Sequence, residues 1–131
     1  MASKSQRPVE PFWHVLEKDR KLPVEEQSRF RFRPLTQAER MRAMDNIESV
    51  VIEATGERQL RFRSFQQARE IVLSTLIETE NFPAGAPEKY DRNASREDRE
   101  RYVEMIEDGD VYALGDYVFD HSTLGKDEKN S

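Results

Sequence analysis

The chain contains no cysteine, so disulfide staples, thiolate nucleophiles and thiolate-bound metals are all excluded. Long apolar runs are missing too: Val50-Val51-Ile52 is among the densest stretches, against about 20 residues for a membrane-spanning helix. The opening Met1-Ala2-Ser3-Lys4-Ser5-Gln6-Arg7-Pro8 leads into no apolar stretch of signal-peptide length. Glycine is sparse and forms no phosphate-cradling loop. Histidine is confined to His14 and His121, which leaves little of the commonest acid–base side chain. Together these gaps point to a reducing, intracellular setting. They point away from membrane insertion, metal or cofactor binding and catalysis.

What remains is polar. Hydrophobic and charged residues each make up 36% of the 131 positions, and mean hydropathy is −0.90. A chain of this length and polarity supports one modest core with loose ends. We therefore expect an N-terminal arm over 1–11, where Pro8 and Pro11 oppose regular structure, a single domain over 12–121, and a solvated tail over 122–131. Charge is unevenly spread: residues 1–70 hold 14 Lys/Arg against 11 Asp/Glu, whereas residues 71–131 hold 7 against 15. Such asymmetry can steer partners or let two copies associate head to tail.

The pattern predicts an α+β fold, with a small antiparallel sheet of about three strands packed with three to four helices. Ser28–Arg33 alternates with period two, placing Phe30 and Phe32 on one side and Arg29, Arg31 and Arg33 on the other. Thr36-Gln37-Ala38-Glu39 has capping-box spacing and opens a helix to about Asn46, with Ala38, Met41 and Met44, joined by Leu35, expected on one face. Ile47–Ala54, a Thr55-Gly56 turn and Gln59–Arg63 predict a β-hairpin. Ser64-Phe65-Gln66-Gln67 opens a helix over about 65–79, with Ala68, Ile71, Val72, Thr75 and Leu76 at helical spacing. Pro83 and Pro87 end it. Ser95 caps a third helix burying Tyr102, Val103 and Ile106, and a short final helix carries Val111, Leu114 and Val118.

Candidate contact residues stand out more clearly than candidate catalysts. Phe12 and Trp13 form an apolar anchor for the core or for a partner, and Phe82 sits in the proline-rich break. If the two arginine-bearing strands pair, Arg29, Arg31, Arg33, Arg61 and Arg63 gather on one sheet face fit for phosphates or an acidic protein surface. The alternative is an ordinary wet face with its charges offset by Glu48, Glu53 or Glu57. Net acidity and inward-facing aromatics argue against a nucleic-acid partner, although a small regulatory or nucleic-acid-binding protein using that face is the competing reading. Glu107-Asp108-Gly109-Asp110 lacks the alternating ligands of a calcium loop. Asp116, Asp120 and His121 are the remaining catalytic candidates, and the sequence shows no apolar pocket to shift the two carboxyls.

Two segments carry a family likeness. Glu17-Lys18-Asp19-Arg20-Lys21-Leu22-Pro23-Val24-Glu25-Glu26-Gln27-Ser28-Arg29-Phe30 resembles an opening found in small morphogenesis proteins of tailed bacteriophages. Arg33-Pro34-Leu35-Thr36-Gln37-Ala38-Glu39-Arg40 resembles the strand-to-helix step of tail assembly chaperones and minor virion proteins. Glu80-Asn81-Phe82 and the polar tail after Ser122-Thr123-Leu124 are similar to the same pattern. The resemblance implies a non-catalytic role in building the particle, with other phage structural or tail proteins as partners. It places the chain in the host cytoplasm during assembly, or in the virion itself.

Overall fold

The computed structural model describes residues 10–83 and 89–123. Among these described residues, two antiparallel sheets and four helices make up an α+β architecture. Strand β1 (Phe12–Val15) pairs with β2 (Arg29–Phe32), and two 3₁₀ turns, Glu17–Asp19 and Val24–Glu26, fill the connection. Helix α1 (Gln37–Met44) begins with the predicted capping box: Thr36 Oγ1 accepts from the Glu39 amide, and the Glu39 carboxylate accepts from the Thr36 amide. Strands β3 (Ile47–Val51) and β4 (Arg58–Phe62) form the predicted hairpin. Gly56 at its tip has φ +73°, a conformation that a side chain would strain.

Helix α2 (Phe65–Thr75) starts on the Ser64 cap but stops four residues short of the predicted end. Leu76 turns to ψ 126°, and Leu76–Glu80 becomes β5 on the free side of β2. Local spacing favours a longer helix, but tertiary pairing overrides it. β2 presents an unpaired edge, the Arg33 amide donates to Thr75 O at 2.9 Å, and Glu78 and Glu80 come opposite Arg31 and Arg29. The chain then meets α3 (Arg96–Val103), capped by Ser95, and α4 (Asp108–Thr123). α4 is long, contrary to the short helix expected. It runs through Ser122, whose buried hydroxyl accepts from the Leu35 amide, so the helix extends into the predicted tail.

The core joins Phe30 and Phe32 of β2 to Phe62 of β4, to Ala68, Val72 and Leu73 of α2, and to Leu114, Val118 and Phe119 of α4. Each large apolar side chain buried in this way contributes about 1.5–3 kcal/mol. Gly115 permits the closest approach: a Cβ there would sit 2.8 Å from Ala68 O and 2.9 Å from Ala68 Cβ. Tyr102 of α3 meets Thr79 of β5 through their hydroxyls at 2.6 Å.

One helix face departs from its pattern. Ala38, Met41 and Met44 of α1 face solvent, with the two methionines 65% and 61% exposed, while Arg40 and Ala43 turn inward. The small Ala43 is the side chain that fits against the core, and the flexible methionines cover the outside. Residues 1–9 of the predicted arm over 1–11, most of the proline-rich loop (84–88) and the predicted tail from 124 lie outside the described residues.

Candidate functional site

The two arginine strands do not share a sheet. β2 has β1 on one edge and β5 on the other, so no edge is left for β4, which pairs only with β3 among the described residues. Arg29, Arg31 and Arg33 therefore do not line one sheet face with Arg61 and Arg63. The β2 arginines are engaged locally instead. Arg29 meets Glu80 at 2.9 Å and Arg31 meets Glu78 at 2.8 Å, while both guanidinium groups lie over the Trp13 ring, 4.8 and 5.8 Å from its centre. Arg33 grips Glu39 through two nitrogens at 2.8 and 2.9 Å. For the β2 arginines the offsetting carboxylates are thus Glu78, Glu80 and Glu39, while Glu48 comes opposite Arg61 in the hairpin.

The aromatic candidates also pack within the chain. Phe12 lies 4.0 Å from His121, 5.9 Å from Tyr117 and 6.1 Å from Phe32, centre to centre. Phe82 sits between Phe30 and Tyr102, and the Tyr102 hydroxyl donates to its carbonyl. Arg61 and Arg63 alone among the predicted contact residues are broadly exposed. They border a groove of about 750 Å³ that sequence reasoning did not find. One wall is β4, another comprises His14, Leu16 and Arg20 from β1 and the following turn, and α4 contributes Tyr112, Asp116, Tyr117 and Asp120.

Hydrogen-bond phase gives the β4 wall its character. Arg63 N donates to Asn46 O at 2.7 Å, and Ile52 N donates to Glu57 O at 2.8 Å, fixing the alternation across the hairpin. By that alternation the backbone groups of Arg58, Leu60 and Phe62 turn away from β3. Phe62 N–H is met by Asp116 Oδ1 at 2.8 Å. Asp116 is half-buried, and desolvation pushes its carboxyl up to about 6, against the Phe62 hydrogen bond and Arg61 and with help from Asp120. The absence of a pocket expected around Asp116 is therefore corrected: folding supplies one by laying α4 beside β4. His14 is buried and stacked on Tyr117 with ring centres 3.7 Å apart; desolvation first, then Arg20 and His121, lowers its pKa to about 4.

Chemically, the groove offers an unpaired strand edge, mixed charge and aromatic faces. Asp116 already receives a backbone hydrogen bond, and its burial follows from tethering α4 to β4. Among the described residues no three His, Asp or Glu side chains are placed to share a metal ion, and no helix is long and apolar enough to cross a membrane. Comparison with family models, curated proteins and solved structures finds no match to this chain.

Proposed function

We propose that this chain is a non-catalytic binding protein that holds an extended segment of another protein against the outer edge of β4. The observation that carries the reading is the β4 edge itself. The backbone groups of Arg58 and Leu60 turn away from β3, and Leu60 lines the groove between β4, α4 and the end of β1. An added strand gains affinity from main-chain hydrogen bonds and specificity from the side chains it meets. Here those are Leu60 and Tyr112 as apolar contacts and the exposed Arg61 and Arg63 for an acidic residue of the incoming segment.

The setting we propose is tailed-phage particle morphogenesis, as a tail assembly chaperone or a minor virion protein. The two sequence segments beginning at Glu17 and Arg33 support that setting. The test is to quantify the chain in purified virions and in the lysate of cells assembling them, beside an Arg61→Glu/Arg63→Glu variant. A chaperone is found in the lysate bound to a tail or head protein, and a minor subunit at fixed copy number in virions. Either association drops at least about tenfold in the variant, because charges at a binding rim govern encounter and specificity. No association with any particle protein, or an association indifferent to the two arginines, overturns the reading.

A further inference from the structure

The opposite edge of the hairpin carries a second inference, independent of the groove. We infer that β3 pairs with β3 of a second copy, antiparallel about a twofold axis through Ser49, to join two hairpins into one four-stranded sheet.

The hydrogen-bond phase that turns Arg58, Leu60 and Phe62 of β4 outward does the same for Ile47, Ser49 and Val51 of β3. Among the described residues no other strand pairs with that edge. A twofold axis at Ser49 sets Ile47 against Val51 of the second copy and Ser49 against Ser49. Every outward-facing residue then meets another outward-facing residue, so the ladder closes in phase. A register shifted by one residue would lose that match.

The side chains fit the same register. Ile47 and Val51 become directly opposed apolar pairs flanking Ser49, and β-branched pairs of this kind stabilise a sheet. Glu48, the only charge on β3, comes opposite Val50 of the second copy and already faces Arg61 within its own hairpin. No like charges are directly opposed across the seam. The edge also lacks the usual protections of proline or lysine. Val51 of β3 is 50% exposed, and Met41 and Met44 of α1, just before it in sequence, are 65% and 61% exposed.

The test uses the full chain in sedimentation equilibrium across a range of concentrations. The chain is expected to dimerise, and Ser49→Pro to raise the dimer dissociation constant at least about tenfold while leaving the circular dichroism melt unchanged at a concentration where both chains are monomeric. That substitution removes an outward amide and spares the bonds to β4. Should Ser49→Pro not fold, Ser49→Cys decides. In a chain without cysteine it must cross-link to itself under mild oxidation, whereas Gln59→Cys on β4 must not. A monomer at every concentration, a dimer unaffected by Ser49→Pro, or a Ser49→Cys chain that stays uncross-linked overturns the inference. Loss of self-association with particle-protein binding intact would separate it from the β4 reading.

Discussion

His14 and Asp116 line the same groove, yet burial moves their proton equilibria in opposite senses. For His14 the folded value lies near 4, against an ordinary value of 6.5. Its contribution is fully present above pH 6.5 and is lost as the pH falls towards 4, because the unfolded chain takes up the proton first. His14→Phe keeps a ring against Tyr117, so the difference in urea midpoint between wild type and variant should grow in the variant's favour between pH 6.5 and 4. Asp116 runs the other way: its folded value is about 6 and its reference 3.8. The fold prefers the protonated acid, so its burden is absent below pH 3.8 and complete above pH 6. Asp116→Asn retains an acceptor for Phe62 N–H without the charge. We expect the variant to be the more stable protein at pH 7, with the gap closing near pH 4 in the same titration. Glu39, held down to about 2 chiefly by its hydrogen bonds to Arg33, adds a stabilising contribution that disappears only as the pH falls from 4.5 towards 2.

Among the elements, the α2–α4 contact is the least forgiving. Gly115→Ala places a methyl group against the Ala68 backbone carbonyl, and a helix cannot yield there as a flexible side chain would. Overpacking of this kind costs about 1–3 kcal/mol, which chemical denaturation measures directly; Ala68→Gly in the same chain should recover only part, since the carbonyl stays. Thr36→Ala removes the side-chain half of the α1 capping box, leaving the backbone N–H of residue 36 to donate to Glu39, and is expected to cost about 1 kcal/mol. The cap at Thr36 was legible because it is local chemistry: an acceptor and a carboxyl at fixed spacing. The alternation of Arg29–Phe32 and the Thr55-Gly56 turn were legible for the same reason. β5 was not, because Leu76-Ile77-Glu78-Thr79-Glu80 continues the helical spacing of α2 without a glycine or proline to stop it. Only the edge of β2, set by residues some 45 positions earlier, makes it a strand. The groove was hidden likewise, since the residues that form it come from β1, β4 and α4, and no periodicity links them. Arg61 and Arg63 could be singled out, but which surface they bordered could not.

At the scale of the whole molecule the two sheets differ in how they are held. The three-stranded sheet buries Phe30 and Phe32 fully and meets α4 through Phe12 and His14 and α3 through Thr79, whereas most of β3 is open to solvent. Segments with few buried contacts open with less free energy than the core. Hydrogen exchange should therefore find the amides of Glu48 and Val50 exchanging well before those of β2, and dimerisation through β3 should slow Ile47, Ser49 and Val51. The α2–β5 junction has a consequence of another kind. Helix and strand meet at Thr75–Leu76 with no intervening loop, so the chain has no slack there. One residue inserted at that joint would turn α2 by about 100° or, if α2 held, reverse every side chain of β5 and drive Glu78 towards the core. Length at this joint is a form of information. Where a surface loop forgives an added residue, this seam turns it into the choice between two misfolded faces.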